Sequence, residues 1–266
     1  MFRLAPVPSA LRGVVRRLVA YDESADAPVR RRQAPAATCT LVVGFGDPLR
    51  VDGNALGAFV GGLTDATALT EFHGRQRGIQ ADLTPVGALR LFGTSLPGAV
   101  PLDALDPDWG RLPARLAALP DWSVRLDAVV DALVRRLDRA RGADPEVWRA
   151  WSLLERSAGR APVGGIAADV GWSRRHLTRR FTAQVGLSPT TAGRVLRFRR
   201  AADLLVPPPG SIRPSPPRIA DIAAACGFAD HAHLDREFAA LAGCSPRAYV
   251  AEWAGVAVDP AEVVRG

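Results

Sequence analysis

From Ile166 to Pro189 the chain reads IAADVGWSRRHLTRRFTAQVGLSP, and from Ile222 to Pro246 it reads IAAACGFADHAHLDREFAALAGCSP. This internal repeat constrains the fold more than any other feature, because a unit that recurs with its spacing intact must be built the same way twice. Gly171 matches Gly227, Trp172 matches Phe228, Leu177 matches Leu234, Arg179 matches Arg236 and Phe181 matches Phe238. Gly186, Ser188 and Pro189 match Gly243, Ser245 and Pro246. The offset is 56 residues up to the aromatic and 57 after it. The second unit therefore carries one extra residue at its turn, where chains tolerate insertions.

Each unit has the grammar of a helix-turn-helix. A short Ala-rich helix is followed by a Gly able to take the left-handed conformation, then by a polar start to a second helix in which Leu and Phe stand four apart. A Gly stops that second helix, and Ser-Pro starts the next, with Ser as cap and Pro in the first turn. If Leu177 and Phe181 face inward, a step of about 100° per residue puts Arg175, Arg179 and Thr182 on the outer face, flanked by His176 and Thr178. Arginine on such a face can pair with guanine O6 and N7, while Thr and His reach base edges or phosphate oxygens. Arg174 and Arg180 are placed for phosphate. A lone Arg-rich amphipathic helix would be read as a solvated face; a turn of fixed form in two copies favours DNA. In the second unit the same geometry exposes Ala232, Arg236 and Ala239, with His231, His233 and Asp235 near them and Glu237 at the position of Arg180. An Asp there repels phosphate, although it can accept from cytosine N4. The first unit is expected to dominate affinity.

Charge is distributed accordingly. Residues 160–206 hold 9 Arg against 2 acids, residues 1–145 hold 18 against 16, and residues 218–253 hold 3 against 5. The positive field falls on the first unit. All 34 basic side chains are arginine, which says more about codon usage than about mechanism. Between the units, residues 190–205 (TTAGRVLRFRRAADLL) predict one connecting helix, and PPPGSIRPSPP at 207–217 predicts a semi-rigid surface loop.

The first half is punctuated by Gly and Pro and shows β-prone runs at 38–45, 56–63 and 78–83. LPARLAAL and DWSVRLDAVVDALVRRLDRA then predict two helices, the second with Asp121 as N-cap. Trp109 and Trp122 begin these helices and read as core or as part of a dimer interface. RGADP at 141–145 supplies breakers. The expected class is α+β: a β-rich domain closed by helices over 1–145, then an all-α domain over 146–256 holding units at about 163–189 and 218–249.

The paired units, the ACGFAD turn, and the LSP and CSP that follow the two recognition helices resemble the AraC/XylS family of bacterial transcription regulators. The resemblance covers about residues 147–253. It implies two recognition helices entering successive major-groove segments on one face of the DNA, so that one chain reads an asymmetric site. The Pro-rich insertion and the acidic residues Asp235 and Glu237 depart from it. The first half resembles the β-rich sensor domains of the same family, which often serve effector sensing or dimerisation, and no motif in it names a ligand.

Other chemistries find little support. Cys39, Cys226 and Cys244 lie far apart with no histidine at ligand spacing, so no metal site, cofactor or disulfide framework is expected, and a reducing cytoplasm fits. The N-terminal MFRLAPVPSALRGVVRRLVAY lacks the uninterrupted apolar run of a signal peptide or a membrane span. His73, Arg75 and Arg77 could line a pocket but read as a solvated loop. Asp47, Asp52, Asp65 and Asp82 show no spacing that sets one pKa against another. No catalytic residue is assigned. The expected partners are double-stranded DNA, RNA polymerase, a small-molecule effector and a second copy of the chain, and the alternative is an enzyme tethered to DNA by the same C-terminal half.

Overall fold

Long-range strand pairing organises the first third of the chain. The computed structural model describes residues 1–138, 142–206 and 218–253. The strands are β1 (Phe2–Ala5), β2 (Val15–Gln33), β3 (Cys39–Gly44), β4 (Leu49–Val51), β5 (Asn54–Leu56), β6 (Ala58–Gly61), β7 (Ala68–Leu83) and β8 (Ala99–Pro101). They form one antiparallel sheet in the order β1-β2-β7-β3-β6-β8, with the β4–β5 hairpin joined to β7. The three expected runs correspond to β3, to β5–β6 and to the end of β7. β2 and the first part of β7 have no such apolar signature, and their extended state comes from each other. Arg17 stands opposite Asp82 and Arg30 opposite Glu71 in register, and each pair is an ion pair, at 2.7 and 2.5 Å. Cross-strand opposite charges of this kind stabilise a ladder. Pro28, which has no N–H to donate, falls within a register shift between Ala25 and Val29.

This pairing corrects the reading of His73, Arg75 and Arg77, which lie within β7 and not in a loop. Arg75 pairs bidentately with Asp22 at 2.8 Å, and Arg77 lies over the rings of Phe45 and Trp122. The guanidinium of Arg75 holds the Asp22 carboxyl below its usual pKa.

After β7, Thr84 caps α1 (Pro85–Phe92) by accepting from Gly87 N–H. The half closes with α2 (Leu102–Leu105), α3 (Pro107–Gly110), α4 (Leu112–Ala118) and α5 (Trp122–Leu137). Asp121 takes the N-cap position of α5, but its side chain makes no capping hydrogen bond. Trp109 is buried against Phe92, and Trp122 is half-buried against Phe45. The remaining described elements are helices: α6 (Pro145–Arg156), α7 (Val163–Asp169), α8 (Arg174–Val185), α9 (Pro189–Leu205), α10 (Ile219–Cys226), α11 (His231–Ala242) and α12 (Pro246–Trp253). The predicted connecting helix is α9. The Pro-rich segment 207–217 and the residues beyond 253 lie outside the described residues.

The buried side chains do not divide at residue 145. One apolar cluster runs from Leu11, Leu41 and Ile79 of the sheet half through Trp151 of α6 to Leu177 and Phe181 of α8 and Leu196 of α9. A second cluster gathers Phe198, Ala201 and Ala202 of α9 with Ile222, Leu234, Phe238 and Tyr249. The first unit thus shares a core with the N-terminal half, the second has its own, and α9 contributes to both.

The crossing of α6 and α9 depends on Gly159. Its φ is +77°, and a Cβ there would lie 2.0 Å from the carbonyl oxygen of Gly193 in α9. Gly53 has a similar φ of +85° with nothing near. Gly159→Ala should therefore lose more stability than Gly53→Ala, which pays backbone strain of about 1 kcal/mol alone, with an added cost of about 2 kcal/mol from the clash. Urea unfolding of the two variants measures the difference, and equal losses would mean that the α6–α9 approach relaxes freely.

Candidate nucleic-acid interface

The two recognition helices, α8 and α11, are built by the same local devices. Gly171 and Gly227 turn the chain at φ +71° and +78°, values that only Gly adopts cheaply. Ser173 caps α8 by accepting from His176 N–H at 3.2 Å, and Asp230 caps α11 by accepting from His233 N–H at 2.6 Å. Both caps precede the buried Leu by four residues, so the extra residue of the second unit is absorbed between Phe228 and Asp230. Ser188 caps α9 and Ser245 accepts from Ala248 N–H in α12, as the Ser-Pro pairs predict. Leu177, Phe181, Leu234 and Phe238 are fully buried, which fixes the outward faces.

On α8 that face carries Arg175, Thr178, Arg179 and Thr182, all exposed. His176 is half-buried, edge-on to Trp172 with centroids 4.5 Å apart, and its Nδ1 lies 3.3 Å from an Arg179 Nη. Ser173, Arg175, His176 and Arg179 line a shallow depression of about 290 Å³ at the start of the helix, where unpaired backbone N–H groups and the helix dipole favour negative charge. Arg174 turns back over α7, so close to Gly164 that a Cβ there would lie 2.2 Å from its Nη2. Arg180 is paired with Asp144 at 2.6 Å.

On α11 the arrangement is parallel, and the charge is reversed at Glu237, the position of Arg180. Arg236 is exposed. His231 lies 3.4 Å from Asp235, and His233 packs edge-on to Phe228 while its Nδ1 accepts from Ala229 N–H at 3.2 Å. Glu237, at the position of Arg180, pairs with Arg194 of α9 at 2.6 Å. Both positions thus bind the recognition helix to the segment that packs behind it: Arg180 to Asp144 before α6, Glu237 to Arg194 in α9. Sequence reasoning missed these pairs because each joins residues dozens of positions apart.

The pairing also redistributes the positive field. Of the arginines between 160 and 206, Arg180 and Arg194 face acids outside that window, Arg199 pairs with Asp203, and Arg197 donates to the Gly159 carbonyl at 2.7 Å. Arg175 and Arg179 have no acidic partner among the described residues.

The N-terminal half grips both units. Arg16 reaches Glu155 of α6 at 2.5 Å, and α1 packs against α8. Arg32, from the end of β2, donates to the carbonyls of Ala242 and Gly243 at 3.1 Å, and Thr67 donates to the Leu241 carbonyl at 2.7 Å. These three carbonyls end α11, where a cation is favoured.

Several other groups weighed in the sequence have structural surroundings that explain them. Cys39 is buried, and its thiol is pushed up to about 12 by desolvation, so it is a poor nucleophile near neutral pH. Asp47 and Asp52 accept backbone N–H groups of Arg75 and Leu69, and Asp82 pairs with Arg17. No three His, Cys, Asp or Glu side chains gather to hold a metal among the described residues, and no described helix is long and apolar enough to cross a membrane.

A family model described as a helix-turn-helix domain, of the AraC type, matches residues 166–252. Among solved structures, ToxT from Vibrio cholerae aligns over 88% of this chain and 97% of its own, at 10% identity and a TM-score of 0.50. The unsaturated fatty acid bound form of ToxT aligns over 92% and 98%, at 11% identity and a TM-score of 0.50. An AraC-type transcriptional regulator from Chromobacterium violaceum aligns over 44% of this chain and 95% of its own, at 29% identity and a TM-score of 0.36. The ToxT alignments extend the similarity of fold to both halves. No curated protein matches the chain.

The reversed pairs make a charge-swap test possible. Glu237→Arg should destabilise the fold by about 2 kcal/mol, by setting two half-buried guanidiniums together. Adding Arg194→Glu should recover most of that loss in chemical denaturation; a double variant no more stable than the single one would show that the pair does not hold α11 to α9.

Proposed function

We propose that this chain, whose residues 166–252 are an AraC-type helix-turn-helix domain, is a sequence-specific transcription regulator that lays α8 and α11 into successive segments of the major groove. The observation that carries this reading is the duplicated, capped and core-anchored helix pair with Arg175 and Arg179 exposed on the outer face and free of acidic partners among the described residues. Arg175, Arg179 and Thr182 read base edges, with His176 and Thr178 beside them, and Arg236 contributes the corresponding contact from α11. Arg174 and Arg180 serve phosphate, Arg180 by leaving or sharing Asp144. His231 and His233 lie at the start of α11, within reach of the backbone of the same groove.

In this reading residues 1–145 are the regulatory domain and 146–256 the DNA-binding domain of a cytoplasmic protein that acts with RNA polymerase. The grip of Arg32 and Thr67 on α11, and of α1 on α8, supports control by a small molecule, because occupancy of the N-terminal half can bias the relative set of the two recognition helices. The bound fatty acid named for one ToxT structure agrees with such control without specifying this chain's effector. A second copy of the chain fits two half-sites.

Selection of bound sequences from a random DNA pool, then titration of the best site at two salt concentrations, tests the reading. An enriched asymmetric motif with salt-dependent affinity is expected. Salt-sensitive binding without any enriched sequence would leave only a tether.

The two units should contribute unequally. Arg175→Ala or Arg179→Ala should weaken specific binding by about tenfold or more, the value of a bidentate guanine contact, and Arg236→Ala by less. Equal losses in the same titration would refute the asymmetry.

A further inference from the structure

An open cleft of about 410 Å³ lies between α3, α4 and α5, and none of its lining residues belongs to the helix-turn-helix units. Its apolar surface comes from Trp109, Leu112 and Ala132. Trp109 and Leu112 are almost wholly buried in the core and show the cleft only an edge, so this surface is fixed by packing on its other side. The volume falls in the lower part of the range of metabolite sites.

Four arginines and two aspartates complete the lining, an excess of positive charge. Arg136 is held firmly, donating to Asp106 at 2.6 Å and to the Leu91 carbonyl at 2.7 Å. The other three are not. Arg111 pairs with Asp108 at 3.0 Å, with both side chains 78% exposed. Arg135 lies 3.9 Å from Asp131, again with both side chains mostly exposed. Arg115 has no hydrogen-bonding or acidic partner among the described residues. Exposed pairs of this kind contribute little to stability, so an anion that brought its own apolar body could displace them.

We propose that this cleft binds a small organic acid: a carboxylate received by Arg115 and Arg135, with Arg111 at the rim, on an aromatic or short aliphatic body lying against Trp109, Leu112 and Ala132. Guanidinium groups bind carboxylates in a planar, often bidentate geometry, and the apolar floor selects against bare inorganic anions. A route to DNA binding is present. Arg136 joins Asp106 of the cleft to the last turn of α1, and α1 packs against α8. A carboxylate held by Arg115 and Arg135 beside this pair would draw on Arg136 in competition with Asp106, and so act on the anchorage of the first recognition helix. This coupling, unlike the site, rests on the regulator reading above.

Isothermal titration of the full chain without DNA tests the site, using benzoate, indole-3-acetate and octanoate as probes and benzamide and inorganic phosphate as controls. At least one carboxylate should bind saturably at one per chain, and both controls should bind at least about tenfold more weakly. The double variant Arg115→Ala/Arg135→Ala should keep the wild-type Tm, since both side chains are exposed, and lose about tenfold or more of the affinity. Absence of saturable binding by all three acids, equal binding of phosphate or benzamide, or full affinity in the double variant would each overturn the proposal. Titrating the selected DNA site with and without the bound acid separates the two readings. Unchanged DNA affinity would leave the site and remove the coupling, whereas failure to bind DNA with ligand binding intact would refute the regulator reading alone.

Discussion

Which side of each recognition helix meets solvent is decided by what its opposite side buries. Leu177 and Phe181 on α8, and Leu234 and Phe238 on α11, stand four residues apart and are wholly withdrawn from water. Each such side chain contributes about 1.5–3 kcal/mol on burial, so rotating either helix would expose an apolar pair at a cost comparable to much of a domain's net stability. The orientation of Arg175, Arg179 and Arg236 follows from that constraint rather than from any polar contact of their own. The helix caps at Ser173 and Asp230 then fix where each helix begins, and so which residues stand at its first turn.

Polar contacts act at a second level, in setting the helices against their surroundings. Position 180 and position 237 carry opposite charges, yet each meets its complement, Asp144 in one case and Arg194 in the other. The acidic character of the second unit is therefore partly internal: Glu237 is spent on α9 and is not left on the outer face of α11. The same holds for the basic character of the first unit, in which several of the arginines that produce the high local charge are tied to acids and carbonyls of the protein.

The sequence made the C-terminal half legible because its determinants are local. Gly at the turns, Ser or Asp at the caps and Leu and Phe at helical spacing all act within a dozen residues, and the repeat supplied a second reading of the same pattern. The sheet half was legible only in part. The apolar alternation of β3 could be seen, but β2 beyond Tyr21 has the composition of a polar loop and is a strand because β7 pairs with it along most of its length. His73, Arg75 and Arg77 were misplaced for the same reason. Of the candidate interface, the exposed residues could be named from helix geometry, while the pairs Arg180–Asp144 and Glu237–Arg194 and the contacts of Arg32 could not, since each depends on tertiary placement.

The shared core has a consequence for how such a chain can change over time. The second unit buries its own aromatic cluster of Phe198, Phe238 and Tyr249 and touches the sheet half mainly through Arg32, Thr67 and Ala34. The first unit has no such independence, for its interior is continuous with that of the sheet half. A different N-terminal half cannot be grafted at the junction near residue 145 as one exchanges a cartridge. It must bring a surface shaped to α6 and α8, whereas the second unit can be exchanged or can drift with little demand on the rest. Descent should leave the two repeats with different freedom: the first bound to its neighbour's history, the second open to change on its own.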